Sequence, residues 1–441
     1  MTVSLTHLIT LCILTNKKVK GAGSGATFVK TFPEAVLSTF GPDLYAFITR
    51  YIPQLDIIGK RPPVRNLIDD FTGALGNEMM LVLGKPGSGC TTFLKALANK
   101  REGYVDVLGD VDYGGLTPSE VKHKYRGEVV INTEEDIHFP TLTVAQTLAF
   151  ALREKVPRVR PQGMARSEFV NYILEALLKM FGIEHTANTV VGNDFVRGVS
   201  GGERKRVSIA ETLATRASVM CWDNSTRGLD ASTAVDYVRS LRIITDVTGG
   251  TSIATLYQAG EGIYELFDKV CLIDDGRCIF FGPANEACAY FESLGFYKPP
   301  RQTSADFLTG ITDLHERTYK EGWEGRAPRT TEDLEKAYKS SHYYQAAVAT
   351  SDNSFASENK ELGVFKDSVR EEKKRRMAKS SPYTVSYFEQ IYYCVIRQIQ
   401  LQLGQLDGYY TKFGTILVVS FVVASMFYGE AQSTDGGESL Y

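Results

Sequence analysis

Between an apolar run, MMLVLG at Met79–Gly84, and the segment TTFLKALANK lies the stretch GKPGSGCTT, Gly84–Thr92. A buried strand that ends on a glycine-rich turn and feeds a helix is the setting of a phosphate-binding loop, whose usual pattern is G-x-x-x-x-G-K-[ST]. Glycines let the backbone wrap so that successive N–H groups point inward, and the helix N-terminus adds positive potential. Gly84, Gly89 and Thr91 hold their pattern places, with Lys85, Pro86, Gly87 and Ser88 between the glycines and Thr92 following. Cys90 stands where the lysine belongs. The loop is therefore expected to hold phosphate, with Thr91 ligating Mg²⁺, but to lack the cation that meets the β- and γ-phosphates. A charge-assisted bond of that kind is worth about 1.5–3 kcal/mol, so nucleotide still binds while transition-state stabilisation weakens.

From Arg65 onward strands and helices alternate, which predicts an α/β domain with a largely parallel sheet. Two further segments suit that fold. VSGGERKRVSIAETLAT, Val199–Thr215, puts Ser200, Gly201 and Gly202 in a tight turn before a basic helix. About 20 residues later SVMCWDNSTRGLD ends an apolar strand at Asp223, a place from which a carboxylate holds Mg²⁺ through water. The remaining composition narrows the partners. The 441 residues are 43% hydrophobic and 23% charged with a net charge of −3, a globular balance without the basic footprint of a nucleic-acid binder. The seven cysteines are scattered, with no C-x-x-C, and read as reduced cytosolic thiols.

The order of phosphate loop, VSGGE, apolar strand ending in Asp223, and then GLD resembles the nucleotide-binding domain of ATP-binding cassette (ABC) proteins, over about Arg65–Phe296. The stretch FDKVCLIDDGRCIFFGPANEACAYFESLGF, Phe267–Phe296, is similar to the eukaryotic G subfamily. CTT in the loop together with WDNSTRGLD resembles the first cassette of fungal pleiotropic drug resistance exporters. The resemblance implies a P-loop NTPase cassette, with a mixed sheet core and a helical subdomain, that binds ATP and Mg²⁺. It also implies roles for residues that depart from the family pattern. Asn224 follows Asp223 where a hydrolysing cassette has a glutamate base, and losing such a base forfeits about 10²–10⁴ in rate. Tyr257 stands at the place of the switch histidine, and Glu134 at that of the Q-loop glutamine. Four altered groups at one nucleotide act as a unit, so their factors do not multiply. The expectation is a site that binds without turnover, and a chain that alone hydrolyses ATP negligibly. Adenine recognition stays open, since no aromatic stands about 25 residues before Gly84.

Ser200, Gly201, Gly202 and Glu203 match the family signature without a defect. Because ABC cassettes pair head to tail, the resemblance implies that this signature completes the working site of a second cassette, linked through the D-loop Gly228, Leu229 and Asp230. A bare helix cap is the competing reading of the same residues.

Beyond the cassette, Phe413–Gly429 is a run of 17 residues without a charge, spanning about 26 Å as a helix, with Tyr409, Tyr410, Phe427 and Tyr428 at its edges. From Tyr387 to Leu403 apolar residues recur at three and four, opposite Glu389, Gln390, Arg397, Gln398 and Gln402. This predicts either an interfacial elbow helix or a helix packed on the cassette. The basic run EEKKRRMAK, Glu371–Lys379, fits the cytoplasmic side. The expected organisation is an N-terminal segment 1–60, in which the GAGSG patch at Gly21–Gly25 is a turn; the cassette 61–300; a polar linker 301–385; the elbow 386–405; a spanning helix 409–430; and a tail 431–441. The first 14 residues lack the positive start of a signal peptide and read as a strand or a mis-placed gene start. By resemblance a full member continues through more spanning helices and a second cassette. It exports hydrophobic small molecules across a membrane, the plasma membrane, with its cassettes in the cytoplasm. The alternatives are a truncated, non-hydrolytic module that pairs with another cassette, and a soluble ABC ATPase, which the apolar terminal helix disfavours.

Overall fold

Helices and strands in the computed structural model follow the apolar runs closely, and the described residues are 65–256, 259–373, 377, 381–426 and 428. The N-terminal segment 1–60 with its GAGSG patch, Tyr257, Phe427, Gly429 and the tail 431–441 lie outside them. Two units divide the chain, Met1–Asn66 and Leu67–Tyr441, and every element below belongs to the second.

In chain order these are β1 (Met79–Leu83), α1 (Cys90–Leu97), α2 (Pro118–Lys124), β2 (Val129–Asn132), α3 (Val144–Glu154), α4 (Arg166–Met180), α5 (Gly201–Ala214), β3 (Val219–Asp223), α6 (Ala231–Thr248), β4 (Thr251–Thr255), α7 (Glu261–Tyr264), β5 (Lys269–Asp274), β6 (Arg277–Pro283), α8 (Ala284–Ser293), α9 (Ser304–Ile311), α10 (Thr331–Lys339), α11 (His342–Glu372), α12 (Tyr387–Leu403) and α13 (Leu406–Met426). The sheet runs β2-β3-β4-β1-β5-β6. Its first five strands are parallel, and β6 returns antiparallel to β5. The continuous apolar reading of β1 has its reason here: all five of its residues are buried, as a central parallel strand requires.

The β5–β6 return is a two-residue turn, Asp275–Gly276, with φ of +44° and +80°. That is the backbone a tight hairpin needs, and Asp-Gly supplies it. The turn also braces the phosphate loop. Gly276 N–H donates to the carbonyl of Ser88 at 2.8 Å, and a Cβ on Gly276 would lie 2.4 Å from the Leu67 carbonyl oxygen.

A helical layer of α3, α4 and α5 packs on itself and reaches the sheet through α5 and β2. Capping boxes fix the starts of α3 and α5: Thr143 with Gln146, and Ser200 with Glu203.

The stretch 301–385, expected as a polar linker, contains α9, α10 and α11, and both α10 and α11 pack on β6. Leu334 and Tyr338, one helical turn apart, are buried, and the Tyr338 ring lies 6.1 Å from that of Phe280. Glu335 between them is also buried, matched by Arg277 at 2.5 Å and Lys339 at 2.7 Å. The narrow apolar stripe of α10 is outnumbered by its charges, which is why composition alone reads as a linker.

The helix α12 spans Tyr387–Leu403, the stretch whose apolar residues recur at three and four. Its polar side meets the cassette: the Arg397 guanidinium lies 4.2 Å over the Phe150 ring of α3, and Glu389 pairs with Arg166 of α4. Its apolar stripe, Phe388, Ile391, Tyr392, Val395, Ile399 and Leu403, faces away and is exposed. Within α13, Gly408–Met426 is long and apolar enough to cross a membrane, and none of it is buried.

Candidate nucleotide site

Parallel strands deliver their C-terminal ends to one edge of a sheet, where ligands bind in open α/β folds. The residues at the ends of β1, β3 and β4 meet there. After β1 the loop turns so tightly that a Cβ on Gly84 would fall 2.4 Å from both the Ile273 carbonyl oxygen and Ser88 Oγ. Gly87 and Gly89 have φ of +88° and +106°. Pro86 and Gly87 are exposed at the crest, and Ser88 is buried beneath it. Gly89 caps α1 with no side-chain bond, so the first N–H groups of that helix rely on other acceptors.

Thr91, one residue into α1 from Cys90, donates its hydroxyl to Asp223 Oδ1 at 3.0 Å, and Thr255 at the end of β4 donates to the same oxygen at 2.9 Å. Asp223 is 4% exposed. A half-buried hydroxyl and a buried carboxylate in contact are hard oxygen ligands of the kind Mg²⁺ takes alongside nucleotide phosphates, so the donor set fits the Mg-nucleotide. When bound, that group supplies the phosphate chemistry; the residues present would hold it through Thr91, Asp223 and the loop N–H groups.

Cys90 offers no charge in return. Burial pushes its thiol up from the ordinary cysteine value, and Sγ sits 3.4 Å from Ser88 Oγ. Nor does Lys85 replace the missing cation. Its ammonium pairs with Asp274 at 2.9 Å and Asp275 at 3.1 Å, while its N–H donates to Thr312 Oγ1 at 3.1 Å. Partial burial opposes the charge on Lys85, but the two carboxylates outweigh it and raise its pKa.

Asn224 has φ of +48°, a backbone that asparagine tolerates better than most residues. Its N–H reaches the Thr255 carbonyl at 3.0 Å and Thr255 Oγ1 at 2.9 Å. Its side-chain amide donates to Glu134 Oε1 at 3.2 Å, and its Oδ1 is buried with no partner among the described residues. Glu134 also pairs with Arg227. Thus Glu134, Asn224, Asp223, Thr91 and the loop stand together, whereas Tyr257 lies outside the described residues.

Ser200–Glu203 stands apart from the loop. Glu203 N–H donates to Ser200 Oγ at 3.3 Å, Ser200 N–H to Glu203 Oε2 at 2.8 Å, and His185 meets Glu203 at 2.9 Å. The cap reading of this turn is correct as local structure, and Ser200 remains exposed. This turn adjoins the segment Gly228–Asp230: a Cβ on Gly202 would be 3.4 Å from the Gly228 carbonyl oxygen. Leu229 N–H closes on the Thr226 carbonyl at 3.1 Å, and Asp230 caps α6 by accepting from Thr233 N–H at 3.1 Å. The hydroxyls of Ser232 and Thr233 hold the Asp230 carboxyl well below the usual range.

Sequence reasoning missed Thr255, Arg227, Lys205 and the Asp274–Asp275 pair. Arg227 and Lys205 were visible inside NSTRGLD and SGGERKR, but no periodicity shows that exposed Arg227 meets Glu134 or that Lys205 turns inward.

The fold and these residues define an ATP-binding cassette, and residues 74–227 match the family model described as ABC transporter. Those residues carry the domain of that family, and the chain has G-family members and fungal multidrug transporters among its relatives. It is 52% identical to the ABC multidrug transporter atrF of Aspergillus flavus over 96% of its own length, and 44% identical to the ATP-dependent permease PDR12 of Saccharomyces cerevisiae over 85%. It is 42% identical to ABC transporter G family member 14 of Dictyostelium discoideum over 96%. The chain spans only 28%, 25% and 29% of those three relatives.

Proposed function

We propose that this chain is the nucleotide-binding portion of a membrane exporter of hydrophobic small molecules, and that its own ATP site binds without turnover. In this reading Ser200–Glu203 complete the hydrolysing site of a second cassette, with Gly228–Asp230 linking the two. One observation carries the proposal. At the position after Asp223 the chain has an amide whose donor is directed to Glu134, and an amide takes no proton from water. The carboxylate that is present, Glu134, is already engaged by Arg227.

The exposed stripe of α12 and the unburied apolar α13 support a lipid partner, with the stripe in the interface and the cassette on the cytoplasmic side. A plasma-membrane location belongs to the same proposal. The purified chain should bind ATP, measured by displacement of a fluorescent nucleotide, and release phosphate negligibly. Turnover comparable with that of an intact ABC ATPase would exclude the role given to Asn224.

A further inference from the structure

We infer that Glu134 is a positioning residue for Asn224, and that the two form an acid–amide pair in which position 224 can carry a negative charge only when position 134 carries none. The inference rests on the reading of Asp223–Asn224 as the metal-bearing edge of the nucleotide site. Both partners are anchored from behind. Asn224 is held through its N–H by Thr255, with the backbone at positive φ. Glu134 is held through its carbonyl by Lys205 of α5, whose ammonium donates to the Glu134 oxygen at 3.0 Å, the Thr133 oxygen at 3.2 Å and Asp136 Oδ1 at 3.2 Å. Lys205 is 2% exposed, so this pin sits inside the protein and on the same helix that begins with the signature.

With both backbones fixed, the contact between the side chains at 3.2 Å is imposed. The amide satisfies the carboxylate there. A second carboxylate at position 224 would meet it at contact distance, with Asp223 adjacent in sequence. The cations facing the pair do not cancel that repulsion. Arg227 has a side chain 69% exposed, where solvent screens its attraction, and Lys205 is committed to backbone oxygens and Asp136. Glutamine at 134 keeps an acceptor for the residue-224 side chain but removes the charge, so it relieves the conflict without changing the shape.

The test is a double-mutant cycle on the full chain, N224E, E134Q and E134Q/N224E, read by thermal unfolding and by affinity for Mg-ATP. N224E should lower the melting temperature by about 5 °C and weaken Mg-ATP binding about tenfold. E134Q/N224E should recover most of both. Raising the ionic strength from about 0.05 to 0.5 M should rescue N224E in part and leave the double variant unmoved, a response that lost packing would not give. Equal damage from N224E in the wild-type and E134Q backgrounds overturns the pairing. Should both proteins that carry N224E fail to fold, E134Q and E134A with Asn224 retained decide the case. The alanine should bind Mg-ATP at least about fivefold more weakly than the glutamine, and equal behaviour overturns the inference. Loss of ATP binding in every protein, wild type included, with the thermal coupling intact, would refute the proposed function and leave the pair standing.

Discussion

The substitution that bears most directly on the phosphate loop is Cys90→Lys. In the structure the loop carries glycine geometry and a helix N-terminus but, among the described residues around it, no cation free to meet phosphate, because Lys85 is paired with Asp274 and Asp275 at 2.9 and 3.1 Å. A lysine at 90 adds one charge-assisted hydrogen bond to the bound nucleotide, worth about 1.5–3 kcal/mol, or roughly 10- to 150-fold in affinity. Burial works against the gain. The same desolvation that keeps the Cys90 thiol protonated would weigh on an ammonium in the loop before nucleotide binds, so the lower end, about tenfold, is the expected result.

The assay is a titration of the full chain with a fluorescent ATP analogue, with unlabelled ATP as competitor and thermal unfolding as the control for folding. An unchanged affinity, within about twofold, in a folded Cys90→Lys protein would refute the premise that the loop lacks a cation. Lys85→Met closes the remaining gap. Its amine is committed to two carboxylates, so ATP affinity should shift by less than about threefold. The melting temperature should fall, since Asp274, 1% exposed, keeps only Thr331 Oγ1 at 2.7 Å and the more distant Arg317. If Lys85→Met instead abolishes binding, Lys85 serves the phosphates and the account of the loop is wrong.

Two further outcomes test the frame around the site. The Glu203 carboxyl is held below the usual carboxylate range by its bonds to Ser200, so its contribution to folding is complete above about pH 4.3 and is lost as pH falls through the lower folded value; Glu203→Gln should flatten that acid limb of the stability curve. Leu334→Ala should cost about 2–5 kcal/mol in chemical unfolding, since Leu334 is fully buried against the sheet, and a loss below about 0.5 kcal/mol would return the region to a mere linker.

Motif and apolar run together made the centre of the fold legible. Once MMLVLG was taken as a buried strand, the loop, α1 and the meeting of Thr91 with Asp223 followed, because a P-loop and a carboxylate at a strand end have one way to face each other. The helix α12 was legible from its period, although which side would meet the cassette was not. Arg397 reaches the ring of Phe150, far back in the chain, and no local pattern encodes such a partner. The same holds for Lys205: in the sequence it is one of three basic residues in a helix, and only the fold turns it towards the carbonyls of Thr133 and Glu134. The helices of 301–385 were hidden for a different reason, since α10 buries two apolar side chains, Leu334 and Tyr338, while its charges dominate any average.

The charged groups around the loop share one property that no single motif displays: each is answered within the chain before a nucleotide arrives. Lys85 meets two aspartates, Glu134 meets Arg227 and the Asn224 amide, and Asp223 takes the hydroxyls of Thr91 and Thr255. On the proposed function, this pairing leaves the backbone N–H groups of the loop as the main donors to phosphate. The signature is built in the opposite sense. Glu203 satisfies the helix start, yet Ser200 stays exposed and Gly202 borders the Gly228 carbonyl. On the proposed function, a cassette whose own charges are already paired and whose Ser200 is exposed acts on a neighbouring cassette rather than on its own nucleotide.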